Sequence, residues 1–294
     1  MKKNRRQSNK NSGGHSFVFL ALVFLFFFVV PVLLLGPILR TSFVDDFQPS
    51  NSIGDVAIDA PVAIGGRGAF LKVLPSELFA PSLGKYFFVV AWFNIQDLPS
   101  SGQRVFLLSR YESSKSTKSG YAIAISRTID SLRPEVYWRD EAGRGGWYSF
   151  SDVKILPGYW FMVGLTYYDD TKLGMYVGSY EGNGRVILQP AGGYSFPEPI
   201  LPASMYPLKV GSVKTGLFTG NIGPVGIFAK ESRDHVEIKS IFKNFLKSPM
   251  AVPDTFKKDE ILFWTPDAKH DLSIYNHELK FVDPEKDPEE MHDL

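Results

Sequence analysis

The sequence has no cysteine, which removes disulfides, thiolate metal sites and thiol nucleophiles together. It carries almost no net charge, +1 at neutral pH, so its overall balance gives no reason to look for a nucleic-acid partner. Beyond the first forty residues it also lacks an N-x-[ST] glycosylation acceptor. Asn51, Asn94, Asn183, Asn221, Asn244 and Asn276 all fail that pattern. Hydrolase signatures are missing too: there is no G-x-S-x-G and no H-E-x-x-H. The histidines are His15, His235, His270, His277 and His292. Asp267, His270, Asp271 and His277 lie close in sequence but without the spacing of a helix-face metal pair.

What is present is organised around Phe17 to Leu39, FVFLALVFLFFFVVPVLLLGPIL, which holds no charged side chain. As a helix this run is long enough to cross the hydrocarbon core of a bilayer. Pro31 predicts a kink in it, and Gly36-Pro37 predicts where it frays. The run exceeds the usual apolar region of a signal peptide, and its exit offers no A-x-A-like pair, so an uncleaved anchor is expected. Lys2, Lys3, Arg5, Arg6 and Lys10 precede it with no acid among them, whereas Asp45 and Asp46 follow it. The positive-inside rule therefore predicts a cytoplasmic N-terminus and a C-terminal bulk outside. Without cysteine or a glycosylation acceptor, that bulk points to a single-pass bacterial inner-membrane protein facing the periplasm or the cell exterior.

The resulting organisation is a basic tail over 1–15, a transmembrane helix over 16–39 and a linker over 40–52. A β-sandwich over 53–248 follows, then a C-terminal extension with an acidic tail over 249–294. The sandwich is read from short apolar runs broken by Gly, Pro, Ser and Asp about every ten residues, an all-β signature. The clearest predicted strands are Tyr86–Ile95, Val105–Ser109, Tyr121–Ser126, Glu135–Arg139, Trp147–Phe150, Trp160–Tyr168, Lys172–Gly178, Leu208–Gly211 and Ile222–Phe228. In Tyr86–Ile95 both alternating faces are apolar, so that strand is expected to be covered on both sides. Lys172–Gly178 alternates, with Leu173, Met175 and Val177 inward and the other face wet. Pro190 to Pro207, rich in Pro and Gly, is expected to be a surface loop. A helix is predicted over Glu231–Leu246, capped by Ser232 and striped by Val236, Ile238, Ile241, Phe242 and Phe245. Three strand-like runs follow it, Glu260–Trp264, Leu272–Tyr275 and Leu279–Val282.

Three segments in order resemble the laminin-G-like, concanavalin A-like jelly roll: Tyr86–Ile95, Pro157–Ser179 and Pro207–Glu231. The last, PLKVGSVKTGLFTGNIGPVGIFAKE, is similar to that family's closing hairpin, except that Gly223-Pro224 stands where many members carry an acid. The resemblance implies an antiparallel jelly-roll β-sandwich over roughly 54–247. It implies little about activity, because this superfold hosts lectins, adhesion modules, glycanases and structural domains. Glycanases on this sandwich often present two Glu and an Asp on one strand face. The one formal match here, Glu285-Lys286-Asp287-Pro288-Glu289, lies in the acidic tail and reads as a solvated charge run, so no catalysis is expected.

Two candidate sites remain. Trp138, Trp147 and Tyr148 flank Arg139, Asp140 and Arg144, a constellation that would serve either a ligand-stacking site or a Trp pair pinning a hairpin. Asp169, Asp170 and Asn183 offer oxygen ligands for calcium on rim turns, although a hairpin turn selects Asp-Asp for its own reasons. The expected function is a membrane-anchored binding module for a glycan or cell-envelope ligand. An accessory subunit of a membrane complex is the alternative, and a glycoside hydrolase a remote one.

Overall fold

The computed structural model describes residues 52–53, 56–57, 62–64, 69–111, 119–129, 131–153, 155–180, 186–203, 205–211, 218–231, 238–252, 254–256, 258–266, 271–273, 275–283 and 286. The apolar run 17–39, Ser232, Val236, Asn183 and the carboxylates Glu285, Asp287 and Glu289 lie outside these residues. Among the described residues no helix is long and apolar enough to cross a membrane.

Two antiparallel sheets make the body. The first holds β5 (Lys85–Ile95), β10 (Trp160–Tyr168), β11 (Lys172–Tyr180), β12 (Val186–Ser195), β14 (Gly220–Glu231) and β15 (Glu260–Trp264), in the order β12-β11-β10-β5-β14-β15. Short β3 (Val62–Ile64) pairs with the start of β14, and β1 (Ser52–Ile53) and β2 (Val56–Ala57) form a separate ribbon. The second sheet holds β4 (Phe70–Val73), β6 (Arg104–Tyr111), β7 (Gly120–Arg127), β8 (Leu132–Arg139), β9 (Gly145–Ser149), β13 (Leu208–Val210) and β16 (Leu279–Val282). Its order is β16-β4-β13-β6-β7-β8-β9.

The sheets bury their facing sides against each other. Phe87, Val89, Ala91 and Phe93 of β5 meet Val136 and Trp138 of β8 and Tyr121, Ile123 and Ile125 of β7 in one core. The other face of β5 is apolar for a second reason. Phe88, Val90 and Trp92 lie under the helix α1 (Ile238–Lys247), whose Ile241, Phe242, Phe245 and Leu246 cover the first sheet's outer face. Both sides of β5 are therefore dry, as its sequence predicts.

The same helix corrects two expectations. The outer face of β11 is not simply wet, because Tyr176 packs on Phe242 with ring centroids 4.7 Å apart. Glu231 ends a strand rather than starting the helix. Close seating of α1 requires glycine beneath it. A Cβ on Gly164 would run into the Phe242 ring, and one on Gly178 would stand 2.5 Å from Leu246 Cδ2. Gly164→Ala is therefore expected to destabilise the chain by about 1–3 kcal/mol, the usual cost of overpacking a filled site. Urea denaturation measures it, and a variant as stable as wild type would mean that α1 is not tightly docked.

Two further corrections concern the chain's punctuation. Part of Pro190–Pro207 is strand, because β12 runs through Pro190, Gly192 and Gly193. This is tolerated because β12 is an edge strand and the register shifts at Met175/Tyr176, opposite Pro190, so the missing N–H interrupts no central ladder. The C-terminal segment is not an appendage either. β15 extends the first sheet beside β14, while β16 extends the second beside β4. Of the run Leu272–Tyr275, predicted as strand-like, the described residues Leu272, Ser273 and Tyr275 lie outside any strand, in a strap between them. Gly223-Pro224 falls at a register shift in β14, with Gly223 against Trp92 and Trp160.

Candidate functional site

Strand parity decides which predicted residues can meet. In β8, Leu132, Val136 and Trp138 belong to the inter-sheet core, so Arg133, Glu135 and Tyr137 face outward. Trp138 is fully buried, with its Nε1 donating to the Ile200 carbonyl at 2.9 Å and its ring among Phe87, Tyr121 and Tyr167. The expectation that Trp138 stacks on a ligand is corrected: it is a core residue. Trp138 pairs with Gly146 and Trp147 with Tyr137, so the two tryptophans stand on opposite faces and form no cross-strand pair. Tyr148 also faces inward, towards Tyr194 and Phe196.

The polar turn between β8 and β9 satisfies itself. Asp140 accepts from the Arg144 backbone N–H at 2.8 Å and from its Nε at 2.6 Å, and Arg144 Nη1 reaches Glu198 at 2.9 Å. Arg139 Nε donates to the Gly143 carbonyl. These bonds fix the turn and use the groups that were candidates for a ligand. Of the six hairpin residues singled out by sequence, Trp147 lies on the outward face, partly exposed, beside Phe106, Tyr137 and Arg104.

The calcium candidates also serve their turn. Asp169 and Asp170 both adopt positive φ, 50° and 57°, which tight hairpins favour. Asp169 pairs with Lys172 Nζ at 2.9 Å, and Asp170 Oδ1 accepts from the Gly84 N–H at 2.8 Å. Asn183 lies outside the described residues. Among the described residues no group of three His, Cys, Asp or Glu side chains is placed to hold a metal ion.

A different constellation emerges on the outward face of β6–β9. Phe106 and Tyr111 of β6, Tyr137 of β8 and Trp147 of β9 close over Ala122 and Ala124 of β7. Their ring centroids form a continuous set: Phe106 to Tyr111 6.1 Å, Tyr111 to Tyr137 5.0 Å, Tyr137 to Trp147 5.4 Å, and Phe106 to Trp147 5.7 Å. Burial pushes the Tyr111 hydroxyl pKa up, reinforced by Tyr137 beside it, so the phenol stays a neutral donor and acceptor. Polar groups rim the cluster. The Arg104 guanidinium lies 4.2 Å from the Trp147 ring centroid, and its Nε bonds the Glu135 carboxylate, which also accepts from Ser149 Oγ at 3.1 Å. Arg133 donates through Nε to Asp152 at 2.7 Å, and that bond holds the Asp152 carboxyl below the usual carboxylate range. Chemically, the arrangement offers the partly exposed rings of Tyr111 and Trp147, packed on the buried Phe106 and Tyr137, with a phenol and oriented guanidinium donors on one face.

Arg104, Phe106, Tyr111, Glu135 and Tyr137 were missed by sequence reading. The outward parity of Glu135 and Tyr137 was available from Val136 and Trp138. That of Phe106 was hidden by a register shift between Phe106 and Leu108, which turns both Leu107 and Leu108 inward.

No family model matches the chain, and no curated protein matches it. Solved structures with a similar course are β-rich. Tailspike protein 2 of an Escherichia coli O157:H7 bacteriophage aligns at 11% identity and TM-score 0.49, over 74% of this chain and 27% of that one. The Ruminococcus gnavus IT-sialidase CBM40, bound to α2,3-sialyllactose, aligns at 11% identity and TM-score 0.40, over 62% and 94%. The botulinum neurotoxin serotype G binding domain aligns at 12% identity and TM-score 0.36, over 63% and 40%. The chain thus spans about a quarter of the tailspike's length.

Proposed function

We propose that this chain is a membrane-anchored, non-catalytic binding module whose sandwich recognises a glycan outside the cytoplasm, using the outward face of β6–β9. One observation carries the reading. A sheet face that points away from the core bears four aromatic rings, Tyr111 and Trp147 partly exposed over the buried Phe106 and Tyr137, where period-two alternation ordinarily places polar side chains. Aromatic planes with polar rims suit sugars, whose C–H faces stack on rings while their hydroxyls accept hydrogen bonds from donors such as the Tyr111 phenol and donate to carboxylates such as Glu135. On the opposite sheet α1 covers Phe88, Val90 and Trp92 of the outer face. The anchor reading rests on the run 17–39, and the same run supports an extracytoplasmic location.

The test uses the full-length chain in detergent, titrated with a panel of oligosaccharides and followed by intrinsic tryptophan fluorescence. Trp147→Ala is expected to weaken binding at least about tenfold, the scale of one lost ring contact together with its share of shape complementarity. Its melting temperature should stay within a few degrees of wild type, because the ring is not in the inter-sheet core. Binding of unchanged strength in Trp147→Ala, or a folded chain that binds no oligosaccharide, would remove this reading.

A second reading, an accessory subunit of a membrane complex, has its own support. Leu74, Leu83, Met205 and Tyr275 on loops, and Leu78 in the 3-10 turn Glu77–Phe79, are exposed at the end of the sandwich where β4 stops and β5, β13 and β16 begin. Stoichiometric co-purification of a protein partner, lost when Leu83 and Met205 are changed to Ser, would favour it.

A further inference from the structure

Arginines on the outward face share a construction that goes beyond aromatic stacking. Arg104 of β6 pairs in register with Ser126 of β7, and Ser126 with Arg133 of β8. The Cα atoms of the two arginines therefore flank one strand on the same face, two strand spacings apart, on the order of 10 Å, and the Arg104 side chain reaches across β7 to Glu135 of β8. Each is held by a carboxylate through Nε: Arg104 by Glu135 and Arg133 by Asp152. Arg104 is fixed a second time by lying over the Trp147 ring. Both side chains remain about two-fifths exposed, 41% and 42%. Arg144 makes the useful contrast. It too is tied through Nε, but its Nη1 is already engaged by Glu198.

An arginine tethered at Nε has lost much of its rotamer freedom, while its two terminal nitrogens still present a planar fork. That fork matches a carboxylate or sulfate by two parallel hydrogen bonds, and the ordering entropy that binding would otherwise cost has largely been met in folding. Glu135 and Asp152 repel an anion that approaches their own side, and so leave the outer edge of each fork as the favoured contact. Two such forks on one face suit acidic groups spaced along one extended chain better than a single small anion.

We propose that the ligand of this face is an acidic glycan, whose carboxylate or sulfate groups are taken by Arg104 and Arg133 while its sugar faces rest on Trp147 and Tyr111. This rests on the glycan-binding reading and narrows it to a charge class.

The experiment titrates the full-length chain with three oligosaccharides of equal length: a neutral cello-oligosaccharide, an oligogalacturonate, and a sulfated heparin-derived oligosaccharide. Wild type should bind at least one acidic probe about tenfold or more tightly than the neutral one, with an affinity that falls as salt is raised. Which acidic probe binds better distinguishes carboxylate from sulfate. Arg104→Gln and Arg133→Gln should each lose about tenfold for the acidic probe, and markedly less for the neutral one. Arg104→Lys keeps the charge but not the fork, and should fall between wild type and Arg104→Gln. A merely structural arginine would lower the melting temperature and affect all probes alike. Equal affinity for neutral and acidic probes would overturn the charge assignment and leave the glycan reading standing. Silence of all three, in a folded chain, would overturn both.

Discussion

Trp138→Ala is expected to cost about 3–5 kcal/mol, the range for removing a fully buried aromatic from a packed core. The Nε1 bond to Ile200 is lost with the ring, and Phe87, Tyr121 and Tyr167 are left facing a cavity between the sheets. For a domain of this size such a loss lowers the melting temperature by roughly 6–20 °C. Calorimetry reads it directly. The contrast with Trp147→Ala is the informative part, because the two tryptophans lie nine residues apart on facing strands yet should separate cleanly. One change removes stability and takes binding with it; the other removes binding and leaves stability. Equal melting temperatures for the two variants would mean that the parity of β8 and β9 is wrong.

The second large effect is expected at Asp271, in the strap between β15 and β16. Its carboxylate is almost fully buried and accepts four hydrogen bonds: from the N–H groups of Phe263 (2.8 Å), Ser273 (2.9 Å) and His277 (3.1 Å), and from Ser273 Oγ (2.5 Å). Asp271→Ala leaves three backbone donors without that acceptor inside the protein, and the Ser273 hydroxyl with the Ile261 carbonyl alone, a loss on the order of 3–5 kcal/mol. Since β15 borders one sheet and β16 the other, the variant should loosen both edges at once. Amide hydrogen exchange should quicken at Ile261–Phe263 and at Leu279–Val282 before it does in β5. An Asp271→Ala chain with wild-type exchange in those two strands would show that the strap is not a fastening.

How far these features can be read from sequence depends on whether the cause is local. Trp160–Tyr168, Glu260–Trp264 and Leu279–Val282 match the observed strands, because their apolar content and flanking turn residues act over short distances. The double burial of Tyr86–Ile95 was equally plain. What covers its second face was not, since the docking of α1 on Gly164 and Gly178 is a contact between distant segments. β12 was missed because Pro190 and Gly192 read as loop, and nothing in the local sequence marks an edge strand that tolerates both. The two C-terminal strands were visible, but their partners were not, so the segment resembled an extension rather than the closure of two sheets.

The candidate site shows the same division. A polar turn flanked by tryptophans draws attention to the turn, while the face each tryptophan takes is set by register. Trp138 opposite Gly146 and Trp147 opposite Tyr137 send the rings to opposite sides. The outward cluster needs Phe106 and Tyr111 from one strand and Trp147 from another three positions across the sheet, and the shift at Phe106/Leu108 breaks the alternation that would have announced it. Aromatic content was legible in the sequence; its convergence on one face was not.

The most direct test of the central claim, that the outward face of β6–β9 is where ligand sits, is an amide hydrogen-exchange footprint. It compares the full-length chain with and without a saturating oligosaccharide found to bind. The predicted result is slowed exchange in Arg104–Tyr111, Leu132–Arg139 and Gly145–Ser149, with Lys172–Ser195 unchanged. Protection confined to the Asp140–Arg144 turn, or to the loops around Leu78 and Met205, would contradict it.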